Sequence, residues 1–376
     1  MASKLRADYP WTASPVIING PMAGFAGSPL ATAVTGSGGI GMIGLLDDTE
    51  GLSAQLEDVS NTFGSSSSSS SSSSNPAASA FYQDTHLLPI GVGLLLFHLK
   101  TPEPVLPALR RHPPALVWLF AAPSLPDYAV WTTALRAALP ATKVWIQVGT
   151  PSAAVEVART AAPDVVVLQG SDAGGHGFAR GASVVSLLPE TTALFAAAAA
   201  AAAAAGPSTT PLPLLVAAGG IVDGRGVAAA LSLGAAGVVM GTVFLAARET
   251  ALHPAYRAAV LAARDGATAT VRAAVFDELR GPTVWPGPYD GRALATESYG
   301  DWKAGVDIGV IRERLADAAK GEDRGFGGGG GGRAPVWAGA GVGLVNEVRK
   351  AGDIVVSVRE GARSALRDAL AAAGDL

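Results

Sequence analysis

Eight short apolar runs recur along this chain, each closed by glycine or a polar residue. They are PVIING (15–20), GIGMIGL (39–45), LPIGVGLLL (88–96), ALVWLFA (115–121), KVWIQVG (143–149), DVVVLQG (164–170), LPLLVAAGG (212–220) and AGVVMGT (236–242). Within them apolar residues follow one another instead of alternating. An extended segment of that kind needs cover on both faces, as in a parallel sheet flanked by helices. Most of the gaps supply helical sequence, at 126–139, 150–162 and 223–235. Eight alternating units predict an α/β protein built as a (β/α)8 TIM barrel. An open doubly wound sheet shares the rhythm and stays as the alternative.

Beyond the eighth run the rhythm breaks. Residues 251–335 begin as helix and pass into GPTVWPGPYDGRALATESYGDW, rich in glycine, proline and aromatics. This predicts a smaller helical and loop lobe over the barrel of residues 15–250. Residues 336–376 are expected to return to the barrel as helices, starting near Ala338–Lys350. Three homopolymer tracts interrupt the pattern: Ser65–Ser74, Ala196–Ala205 and Gly327–Gly332. The serine and glycine tracts cannot bury a core and are expected as loops; the alanine tract is expected as helix.

Composition narrows the chemistry. Charged residues are 15% of the chain and the net charge is -4, with no basic patch of the kind nucleic acid or an anionic membrane needs. The absence of cysteine removes disulfides, thiolate metal sites and cysteine nucleophiles. No His/Asp/Glu spacing suggests a metal site. The N-terminus lacks the apolar core of a secretory signal, and the apolar stretches read as too short or glycine-broken to span a bilayer. A soluble cytoplasmic protein is expected.

Three motifs carry chemistry. In LLVAAGGIVDGRGVAAALSLGAAGVVMGT the seventh strand closes on Gly219 and Gly220, and the eighth on Gly241 and Thr242. Loops after barrel strands seven and eight commonly bind phosphate, through backbone N–H groups at a helix N-terminus. In NGPMAGFAG (19–27), Gly20, Ala23 and Gly24 expose backbone against which a flat ring can lie. In QGSDAGGHGFARG (169–181), His176 stands among Gly174, Gly175 and Gly177, just past the sixth strand and on the face where such barrels place their active sites. An imidazole there suits proton transfer or hydrogen bonding at neutral pH. Gln147 and Gln169 end neighbouring strands and can hydrogen-bond the polar edge of a ring. Of the other histidines, His86, His112 and His253 are expected at the surface, and His98 within reach of the barrel mouth.

PVIINGPMAGFAG, DVVVLQGSDAGGHG, the double glycine turn of 214–242 and the late WAGAGVGLVNEV together resemble the nitronate monooxygenase family, formerly called 2-nitropropane dioxygenases. The likeness runs over roughly residues 15–250 and 336–350 and extends to the FMN barrel group that includes a flavin enoyl reductase. It implies bound FMN, with Met22 and Ala23 against the flavin and Gln147 and Gln169 near its ring. Gly93, Gly170, Gly175, Gly219 and Gly220 would line the cofactor, with Gly241 and Thr242 on its phosphate. His176 falls on the family's catalytic histidine. Many members carry asparagine on the third strand, where Gly93 offers only backbone. The implied reaction is oxidation of alkyl nitronates or nitroalkanes with O₂ to a carbonyl compound and nitrite. An FMN-dependent NAD(P)H reductase of an enoyl or quinone-like acceptor, and a non-catalytic flavin-binding paralogue, are the rival readings.

Overall fold

The computed structural model describes residues 2–64, 75–205, 211–327 and 331–374. All eight apolar runs form strands: β1 (Ile17–Asn19), β2 (Gly41–Leu45), β3 (Leu88–Leu95), β4 (Pro114–Phe120), β5 (Lys143–Val148), β6 (Val165–Gln169), β8 (Leu214–Ala218) and β9 (Val238–Met240). They pair in parallel in the order β1-β9-β8-β6-β5-β4-β3-β2. A parallel bridge from Ile18 to Ile40 links β1 back to the start of β2, so the sheet closes into a barrel and the doubly wound alternative falls away. Asn19, wholly buried, ties the same seam: its side chain donates to Met42 O (2.9 Å) and accepts from Met42 N (2.8 Å). Nearly every strand residue is buried, which is why the runs are apolar on both faces. Each fully buried valine or leucine stabilises by roughly 1.5–3 kcal/mol over leaving it exposed.

Helices lie where the gaps predicted them, at Asp127–Ala138, Pro151–Thr160 and Gly224–Ser232. The alanine tract ends the long helix Val184–Ala205. Its stretch Val184–Ala201 is long and apolar enough to cross a membrane by length and composition, which corrects the reading of every apolar stretch as too short or glycine-broken. In the fold that helix packs on β6 and β8 with Leu187, Leu188 and Thr191 wholly buried. The serine tract lies outside the described residues, and the glycine tract partly so. At the N-terminal end of the barrel, Tyr9 meets the core, its hydroxyl accepting from Trp145 Nε1 at 2.8 Å.

Two expectations change. The 251–335 lobe is not helix and loop alone, because it contributes β10 (Thr270–Ala273) and β11 (Tyr289–Leu294) to an antiparallel sheet. The third strand of that sheet, β7 (Gly175–Phe178), is the glycine-histidine segment itself, with His176 opposite Gly291. Residues 338–350 form no helix beyond the single turn Val342–Leu344; the terminal helix is Ala351–Ala373. It packs on the helices Gly224–Ser232 and Ser28–Gly36, and its buried Arg359 donates to the carbonyls of Pro15, Ser37 and Gly38.

Candidate active site

A cavity of about 750 Å³ opens at the C-terminal ends of the barrel strands and runs under the added lobe. Met22, Ala23, Gly93, Gln147, Gln169, Gly175, His176, Gly219, Gly220, Gly241 and Thr242 all line it, so segments from β1, β3, β5, β6, β8 and β9 converge there. Gly170, expected with them, does not line it. A Cβ at Gly170 would sit 2.7 Å from Val184 N, so its glycine serves packing behind the wall. Gly24 also stays off the wall, while Gly20 is on it. Gly93 lines the cavity, but a side chain there would strike Pro21 at 2.3 Å. Glycine at this position is therefore matched to its neighbour on the β1 loop.

His176 is held from four sides. Its Nε2 lies 2.6 Å from Asp277 Oδ1. The Trp285 ring stacks on the imidazole at 3.7 Å and 7°, and Trp337 leans on it at 4.6 Å and 53°. Gln169 Nε2 donates to the His176 carbonyl at 3.1 Å. Strand pairing makes room for these contacts. Gly177 leaves space for the Gln169 side chain, and Gly291, opposite His176, leaves space for Trp337. Asp277 lies on the turn Val275–Glu278 that follows β10, and both it and Trp285 line the cavity. Neither was singled out by the sequence as a partner of His176. Asp277 lies about a hundred residues beyond His176, and the antiparallel sheet brings the two together.

The opposite end of the cavity is built from backbone. Gly219 (φ 100°) and Gly220 (φ 75°) both take positive φ, and Gly220 gives its N–H to no other backbone group among the described residues. A Cβ placed on Gly241 or Gly175 would meet no protein atom within 4 Å, so both glycines border open space. Thr242 Oγ1 accepts from Gly339 N at 3.0 Å, which leaves its hydroxyl proton free to donate. The helix Gly224–Ser232 does not offer its N-terminus to a ligand as the spacing suggested, because Asp223 caps it through the N–H groups of Arg225 and Gly226. Midway along the wall, Gln169 Oε1 is buried without a hydrogen-bond partner, and Gln147 Oε1 accepts from Trp118 Nε1 at 3.1 Å. Free N–H groups, a side-chain-free cradle and an unused buried acceptor fit a flat heteroaromatic ring that carries an anionic tail.

A phenol on the same wall is kept neutral. Tyr256 lines the cavity and donates to Trp337 O; burial pushes its phenol far above the ordinary range, so it stays neutral. His98 follows β3 but does not line the cavity. His86 is exposed at the end of the helix Pro76–Thr85, whereas His112 and His253 are half-buried, contrary to the surface placement expected. His253 caps the helix Pro254–Ala262 by accepting from Ala255 N. Tyr289 lies off the wall with its hydroxyl on Ala122 O, and Trp302 is largely exposed.

A family model for nitronate monooxygenase matches residues 130–283. The chain is 41% identical over 370 residues to nitronate monooxygenase npaC of Metarhizium robertsii, covering 98% of this chain and 96% of that one. It is 37% identical over 377 residues to a nitronate monooxygenase of Neurospora crassa, covering 97% and 93%. Among solved structures, FabK from Thermotoga maritima superposes with a TM-score of 0.67 at 20% identity, over 98% of each chain. A nitroalkane oxidase from Streptomyces ansochromogenes does so with 0.65 at 22%, over 95% of this chain and 98% of that one. At such identities the structures speak for the shared barrel. The two fungal relatives, matched almost end to end, establish that the chain belongs to the nitronate monooxygenase family.

Proposed function

We propose that this protein is an FMN-dependent nitronate monooxygenase, which oxidises alkyl nitronates or nitroalkanes with O₂ to a carbonyl compound and nitrite. The observation that carries this reading is His176, half-buried on the wall of a cavity whose other end offers glycine backbone to an anion. FMN, when bound, supplies the electron transfer that no side chain of this protein can supply. Gly219, Gly220, Gly241 and Thr242 hold its phosphate, Met22 and Ala23 support its ring, and Gln147 and Gln169 hydrogen-bond the ring's polar edge.

His176 takes the α-proton of a neutral nitroalkane, or donates a hydrogen bond to the anionic oxygens of a preformed nitronate. Trp118, Phe120 and Trp285 line the same cavity and keep bulk water from the reacting carbon. Neutral Tyr256 cannot compete as a base. The test is to purify the yellow protein and add a nitronate without oxygen. Rapid bleaching, with nitrite appearing on aeration, is expected. His176→Asn should slow flavin reduction by a neutral nitroalkane by about 10²-fold. Bleaching by NAD(P)H, with none by nitronate, would overturn the reading in favour of the reductase. A protein that stays colourless with added FMN would remove the cofactor assignment.

A further inference from the structure

We infer that Asp277 is a positioning residue that fixes the tautomer of His176, so that Nδ1 is the atom that accepts the proton. This rests on the role proposed for His176. The carboxylate and the imidazole are almost fully buried, with side chains 7% and 12% exposed, and Oδ1 is 2.6 Å from Nε2. Asp277 forms no other ion pair and no other side-chain hydrogen bond among the described residues. A buried carboxylate with one partner is costly unless that partner donates, and an ionised carboxylate only accepts. Nε2 must therefore carry the hydrogen, and Nδ1 keeps the lone pair.

Rotation of the ring out of its plane is hindered. Trp285 covers one face at 3.7 Å and nearly parallel, and Trp337 presses on it at 4.6 Å. The stack fixes the plane of the imidazole, and the carboxylate fixes which nitrogen points away from it. In the deprotonation step the substrate C–H bond breaks, its electron pair moves into the nitro group, and the proton bonds to Nδ1. Asp277 keeps its hydrogen bond to Nε2 and faces the positive charge that forms on the ring. The base sits on β7, in the segment that follows the sixth barrel strand, and its orienting acid comes from the added lobe, brought together by the β7–β11–β10 sheet.

The tautomer can be read without turnover, from two-bond ¹H–¹⁵N correlations of the FMN-loaded protein labelled at its five histidines. The His176 signals are assigned by their loss in His176→Asn. The wild type should show the Nε2–H form, and Asp277→Ala should show a mixture or the Nδ1–H form, with the other four histidines unmoved as the check on folding. Asp277→Asn, whose amide can donate to Nε2 as well as accept from it, should lose the preference or reverse it to the Nδ1–H form. Nδ1–H in the wild type, or an unchanged spectrum in Asp277→Ala, overturns the assignment. In kinetics, Asp277→Ala should slow flavin reduction by neutral nitroalkane about tenfold or more and by preformed nitronate far less; equal losses on both substrates point to a structural role and overturn it. If the wild type ignores nitronate, the proposed activity falls, while the spectrum still decides the role of Asp277.

Discussion

At position 241 a methyl group would enter open space, and at position 93 it would strike Pro21 at 2.3 Å. Both glycines lie on the cavity wall, Gly93 inside β3 and Gly241 just past β9, but their substitutions should act on different properties. Gly241 has φ −102°, which alanine adopts freely. Gly241→Ala should fold with stability within about 0.5 kcal/mol of wild type, as for a substitution away from packing and strain. The methyl would instead intrude on the bound phosphate, costing about 1–3 kcal/mol of affinity, or ~5- to 150-fold in Kd. Titrating apoprotein with FMN and following flavin fluorescence measures this; an unchanged Kd would move the phosphate away from this turn. Gly93→Ala should do the reverse, lowering the unfolding midpoint first, because Pro21 and β3 must part to admit the methyl.

The sheet of β7, β10 and β11 governs whether the site exists at all. Arg272 binds its three parts together: it donates to Asp290 Oδ1 at 2.6 Å, to Asp290 O, and to Ala173 O in the loop before His176. Both ion-pair partners are mostly buried, with side chains 11% and 17% exposed. Removing one partner of such a pair strands the other charge, at a cost of about 3–5 kcal/mol. Arg272→Met should lose about that much in urea unfolding, and Arg272→Lys should recover only part of it, since an ammonium lacks the fork that reaches both acceptors. Equal stability of all three proteins would show that the sheet does not depend on this clamp. The same element marks the limit of sequence reading. The barrel strands were legible because burial on both faces writes itself as unbroken apolar runs. β7 was not, because Gly-His-Gly-Phe has little strand propensity and its partner β11 comes far later in the chain. His176 and the glycine turns were visible as local motifs, whereas Asp277, Trp285 and Trp337 became partners of His176 only through that long-range pairing.

For the whole molecule, four buried tyrosines set the alkaline limit. Burial pushes Tyr289 up to about 12 and raises Tyr9, Tyr128 and Tyr256 further above their ordinary value of 10.0. They are spread across the fold: Tyr9 under Trp145 at the barrel base, Tyr128 on the Gln147 carbonyl, Tyr289 on β11, Tyr256 beneath Trp337. Below pH 10.0 folded and unfolded chains hold these protons equally, and the phenols give no pH dependence. Above it the unfolded chain releases protons that the folded chain keeps, so stability falls, by up to about 1.4 kcal/mol per pH unit for each tyrosine. Arg359 and Arg292 oppose this: burial lowers both, Arg359 from 12.5 to about 10, so there the unfolded chain holds the extra protons and stability rises with pH. Four phenols against two guanidinium groups leave a net loss. The midpoint of thermal unfolding should thus be flat with respect to these groups until about pH 10 and then drop steeply, with phenolate absorbance appearing together with unfolding and not before it. Phenolate that grows in while the fold stays intact would show that these hydroxyls are open to solvent, and would weaken the case for a neutral Tyr256 in the cavity wall.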